Sequence, residues 1–123
     1  MPKDKLRIVY VEPHKEPVIK EIEDNLSAYQ KEVCGLIEIV YNGDGTLLVC
    51  NDEGKLRGMD GNRRIRNGSS VIAGPFFIIG DDGENFRSLT EDEAETYMER
   101  FREIEEIGKE ETEADMGFTF YSL

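Results

Sequence analysis

The sequence predicts an α+β fold: an antiparallel-rich sheet of about five strands, one face of which is covered by a long C-terminal helix and a short first helix. Three observations lead there. Short β-branched and aromatic runs recur through the first two thirds of the chain, separated by Gly, Pro, Asn and Asp turn signals. The longest stretch of helical period follows them, beyond Ser88. The alternating strand and helix crossovers of a parallel sheet are missing. A length of 123 residues fits one domain, assigned to residues 1–108, with 109–123 as an acidic and then apolar C-terminal tail.

The elements follow in order. Leu6 to Val11 reads as an inner strand, with Leu6, Ile8 and Tyr10 on one pleat face and Val9 and Val11 on the other. The proline-containing turn Glu12 to Pro17 leads to a second strand, Val18 to Ile22, completing a hairpin. Asn25 is placed to cap a short helix carrying Leu26, Tyr29 and Val33 and stopping at Gly35. Leu36 to Tyr41 and Thr46 to Asn51 flank Asn42-Gly43-Asp44-Gly45, a tight hairpin. Lys55 to Gly68 lacks hydrophobic periodicity and reads as a long surface loop. Phe76 to Ile79, apolar on both faces, reads as the sheet centre. Thr90 and Glu93 form a capping box with Leu89 and Ala94 as its staple. From there Ala94, Tyr97, Met98, Phe101, Ile104 and Ile107 predict an amphipathic helix of roughly 17 residues ending near Gly108.

Charge is unevenly spread. The net charge is -12, yet residues 1–80 hold 11 basic against 12 acidic side chains and residues 81–123 hold 4 against 15. Phosphates would be repelled by that last third, so direct DNA binding there is not expected, and the charge fits a solvated face or a basic partner without choosing between them. No run reaches the ~20 apolar residues of a membrane helix, and Met1 to Lys5 lacks the apolar run of a signal peptide. The cytoplasm is the expected location. Cys34 and Cys50 match no metal spacing and read as buried free thiols.

Glu12-Pro13, Asn25-Leu26, Gly35-Leu36-Ile37-Glu38, Val49 to Leu56, Asn62-Arg63, Ile72-Ala73-Gly74, Phe76-Phe77 and Gly80 to Glu84 resemble a domain-of-unknown-function family. Its small bacterial proteins are carried by phages, conjugative elements and gut-dwelling Gram-positive bacteria. The resemblance spans about residues 6–104 and carries over no activity, cofactor or catalytic residue. It implies a mobile-element setting, in which small proteins often act by binding host proteins.

Two constellations offer function. Glu91, Glu95, Glu99, Glu103, Glu106 and Glu110 recur at i+3 or i+4, a row of carboxylates about 6 Å apart along the expected helix. Such a row suits a basic host protein, including a nucleic-acid-binding cleft; the plainer reading is a solvated outer face. The tail residues Phe118, Phe120 and Tyr121 add an apolar, alternating segment suited to docking on the domain or on another chain, homo-oligomers included. The leading expectation is therefore a non-enzymatic interaction module. The alternative, from a different class, is a small-ligand, nucleotide or RNA site on the Arg-rich loop 55–67 through Arg57, Arg63, Arg64 and Arg66. Its plainer reading is surface arginines paired with the chain's own acids.

No cofactor or metal is expected. His14 is the one histidine and lies in a proline-rich turn without a catalytic partner at recognised spacing. Asp81 to Asn85 gathers oxygen ligands but departs from the calcium-loop pattern and reads as a turn.

Overall fold

Residues 5–115 are described by the computed structural model. Strand β1 (Lys5–Val11) buries both of its alternating sets, and β2 (Val18–Glu23) returns antiparallel beside it. The short helix α1 (Leu26–Val33) starts where the Asn25 side chain accepts from the Ala28 amide at 2.8 Å. Its left-handed terminator is Cys34, at φ 65°, one residue before the expected glycine. Strands β3 (Ile37–Tyr41) and β4 (Thr46–Asn51) form the expected hairpin, with Gly43 and Gly45 at φ 84° and 86° in its turn.

The segment expected as one long loop contains β5 (Gly61–Ile65), which pairs with β6 (Ser70–Ala73) in a separate two-stranded sheet. That expectation is corrected: Gly61, Asn62 and Arg63 are buried, and the side chains of Asn62 and Arg63 hydrogen-bond to distant backbone, which hydrophobic periodicity does not register. Strand β7 (Phe76–Asp81) follows, and β8 (Phe86–Arg87) adds a short pairing to it. The main path runs β2-β1-β7-β4-β3 with antiparallel neighbours, so Phe76 to Ile79 lie at the centre.

Further findings concern the helices. Helix α2 (Glu91–Arg100) has the capping box formed by Thr90 and Glu93, but it ends at Arg100 rather than near Gly108. The carbonyl of Phe101, which would accept from residue 105 in a continuing helix, instead takes Arg63 Nε at 3.1 Å and Nη2 at 2.9 Å. Residues 109–115, expected in the tail, hold a short helix, α3 (Lys109–Asp115), packed on β6. The helices also cover opposite faces, not one. Tyr29 and Val33 of α1 pack with Ile8, Leu47, Val49, Phe77 and Ile79, whereas Ala94 and Tyr97 of α2, with Phe101, pack with Val9, Val11, Leu48, Phe76 and Ile78. Central strands apolar on both sides need cover on both, and Ile65 and Ile72 of the small sheet complete the α2 side. Among the described residues no helix is long and apolar enough to cross a membrane.

Candidate functional site

The capping box fixes the start of α2, and the Ala94, Tyr97 and Phe101 stripe fixes which side faces the sheet. Glu91, Glu95 and Glu99 therefore stand exposed along the outer face at i+4 spacing. The row breaks there. Glu103 and Glu106 are exposed but lie in the non-helical segment 101–108, where Glu106 Oε2 is 3.9 Å from His14 Nδ1.

Glu95 and Glu99 instead share a groove of about 440 Å³ with the start of β2. Pro17, Ile19 and Met98 provide its apolar lining, and Glu16, Glu95, Glu99 and Arg102 its charged lining. Arg102 is paired with Glu99 three residues back, leaving an acidic excess beside an apolar floor. From sequence, neither Glu16 nor Ile19 is named as a site residue, and Met98 is named only within the apolar stripe of the expected helix. Their signal was present: Val18 and Ile19 are adjacent apolar residues on a strand, so they face opposite sides of the sheet, and each is 47% exposed.

The four arginines of the Arg-rich segment do not form one exposed cluster. Arg57 and Arg66 are exposed, and Arg57 Nη1 donates to the Cys34 carbonyl at 3.0 Å. Arg63 is fully buried. Its guanidinium donates to the carbonyls of Phe101, Lys15 and Asn62 and to Asn62 Oδ1. Burial pulls its pKa below the ordinary arginine value, against the nearby Glu105 charge. Arg64 is committed to two carboxylates: Nε and Nη2 donate to Glu111 at 2.7 Å each, and Nη1 donates to Glu105 at 2.9 Å. These bonds hold Glu111 below the usual carboxylate range.

Motif residues that attract a functional reading prove to be joints of the fold. Asn62 Nδ2 donates to the carbonyls of Val11 and Gly74, both at 2.9 Å, linking β1, β5 and the turn before β7. Asn51 Nδ2 donates to the Val33 carbonyl at 2.9 Å, meeting an acceptor at the end of α1. A Cβ at Gly54 would come within 2.4 Å of the Ala73 carbonyl oxygen. Among the described residues every buried side-chain nitrogen or oxygen has a hydrogen-bond partner.

A smaller cleft of about 190 Å³ lies between β4 and β6, lined in part by Glu38, Cys50, Lys55, Leu56 and Ile72. Burial, with the Glu38 carboxylate beside it, pushes the Cys50 thiol up to about 12, which makes it a poor nucleophile at neutral pH. The expectation that both thiols are buried holds for Cys50 and fails for Cys34, which its left-handed position at the end of α1 leaves exposed. His14 lies in an exposed turn with Nε2 3.0 Å from Asp60 Oδ2. Among the described residues no three of the His, Cys, Asp and Glu side chains converge as metal ligands. Phe118, Phe120 and Tyr121 lie outside the described residues.

The family model described as "Domain of unknown function (DUF3846)" matches residues 6–102. Neither the curated proteins nor the solved structures hold a match to the chain.

Proposed function

The chain belongs to the DUF3846 family, and on that premise we propose that it is a non-enzymatic interaction module that takes a basic protein surface onto the acidic side of α2. The observation that carries this reading is the groove in which Glu16, Glu95 and Glu99 stand over Pro17, Ile19 and Met98. Carboxylates beside an apolar floor supply both halves of a docking site: long-range attraction for the approach and apolar contact once water is displaced. Three arginines elsewhere do not neutralise this side: Arg63 is buried, Arg64 is bound to Glu105 and Glu111, and Arg87 is bound to Glu93. The same commitments remove the main support for a nucleotide or RNA site on residues 55–67. The resemblance to mobile-element proteins makes a cytoplasmic host protein with a basic surface the partner proposed.

Calorimetric titration with a Lys/Arg-rich peptide tests the reading. Binding is expected at low ionic strength, weakening as salt rises, and Glu95→Gln with Glu99→Gln should reduce it while the circular dichroism of the protein stays unchanged. Absence of binding at low salt would overturn the proposal.

A further inference from the structure

The acidic groove borders an open edge of the main sheet. Strand β2 pairs with β1 on one side, and among the described residues nothing pairs with its other side. The direction of its free backbone groups follows from β1. The Arg7 amide donates to Ser88 Oγ at 2.9 Å, and the Arg7 carbonyl accepts from the Leu89 amide at 3.0 Å, so both point away from β2. Glu21 stands opposite Arg7. In an antiparallel ladder, residues opposite one another point their backbone groups either both toward each other or both away. The N–H and C=O of Glu21 therefore point out of the open edge, and with the two-residue period of a strand so do those of Ile19 and Glu23. Their side chains share the sheet face on which Ile19 lines the groove with Met98.

Building on the proposed acidic docking site, we infer that its occupant is an extended basic peptide that adds to β2 as a further strand. Hydrogen bonds to Ile19 and Glu21 hold its backbone, while every second side chain lies over the α2 side of the sheet. Side chains there meet Glu21, Glu95 and Glu99 together with Ile19 and Met98, which selects Lys or Arg interleaved with an apolar residue at two-residue spacing. Among the described residues Arg7 forms no ion pair with Glu21, and its Nη1 donates to the Leu89 carbonyl at 3.1 Å. The other sheet edge, β3, exposes Ile39 and Tyr41 but carries one charge, Glu38, and the cleft it borders, with Asp52, Glu53 and Lys55, is smaller at about 190 Å³. The larger groove, with three carboxylates beside Pro17, Ile19 and Met98, therefore favours β2.

The probe is a fluorescein-labelled peptide, Lys-Thr-Val-Thr-Lys-Thr-Lys, compared with the same peptide N-methylated on every second amide, in either register. The unmodified probe should bind, one of the two methylated registers should bind at least tenfold more weakly, and amide exchange at Ile19 and Glu21 should slow in the complex. Equal binding of all three peptides without protection at Ile19 and Glu21 would overturn strand addition and leave the acidic docking site standing. Protection at β3 instead would also overturn it. No binding by any of the peptides at low salt would overturn strand addition and the docking site together.

Discussion

Two nitrogens of Arg63 donate to the single carbonyl oxygen of Phe101, and that acceptor marks where α2 gives way to an irregular segment. A side chain from the small sheet thus terminates the helix that carries the acidic face. Nη2 reaches the Lys15 carbonyl as well, at 2.8 Å, tying the β1–β2 turn to the same point. Arg63 therefore fixes both walls of the groove relative to each other without touching it.

Replacing Arg63 by Met should destabilise the protein by about 3 kcal/mol or more, since it strands the buried carbonyl of Phe101 and the part-buried carbonyl of Lys15. Arg63→Lys should recover only part, because one ammonium cannot reproduce a planar fork that serves separate acceptors. Urea denaturation measures both; a loss below about 1 kcal/mol in the Met variant would contradict this role.

Phe101 meets Phe76 edge-on at 5.1 Å between ring centroids and is 3% exposed. Phe101→Ala should cost about 3–5 kcal/mol as a large-to-small core change, whereas Glu99→Gln, on the outer face, should stay within about 0.5 kcal/mol of the parent. Equal denaturation midpoints for the two variants would contradict the packing described.

Acid should destabilise the fold through particular pairs. The Arg87 guanidinium donates to Glu93 at 2.8 and 3.0 Å and holds its carboxyl below the usual carboxylate range, as Arg64 does for Glu111. Each group is more acidic folded than unfolded, so its contribution is complete above the unfolded value and is lost as pH falls through the folded one. The melting temperature should fall between about pH 5 and pH 3. Glu93→Gln should lower it at pH 7 and flatten part of that dependence; an unchanged slope would contradict the assignment.

The thiols should separate kinetically. Cys34 is exposed and Cys50 is buried with its thiol pushed up to about 12, so a disulfide-exchange reagent at neutral pH should modify one thiol per chain rapidly and the second only on denaturation. Cys34→Ser should abolish the rapid phase. Two equally fast thiols would contradict the placement of Cys50.

The five strands of the main path were legible because they carry their signals locally: alternation in Leu6 to Val11, two glycines in the β3–β4 turn, and an apolar run in Phe76 to Ile79. What was misread depended on distant backbone. Ile104 and Ile107 continue the helical spacing of Ala94, Tyr97 and Phe101, and nothing near them announces that Arg63 occupies the Phe101 carbonyl. Arg63 itself reads as a surface cation, since its partners are carbonyls of remote segments and a sequence cannot display them. Glu95 and Glu99 were legible as one face of a helix. Glu16 and Ile19, which complete the groove, come from a turn and strand placed beside that helix by the packing of α2 on β1 and β2.

The most direct test of the account compares two triple variants that remove the same charge. One is Glu16→Gln, Glu95→Gln and Glu99→Gln, which removes the carboxylates of the groove; the other is Glu103→Gln, Glu106→Gln and Glu110→Gln, which removes three exposed carboxylates beyond α2. Both are titrated with the Lys/Arg-rich peptide at one ionic strength, after circular dichroism shows both folded. The account predicts that the groove variant loses affinity at least tenfold and the second variant no more than about twofold, since exposed charges outside the groove act through a screened field. Equal losses in the two would contradict it, because binding would then follow total charge rather than the place where Glu95 and Glu99 meet β2.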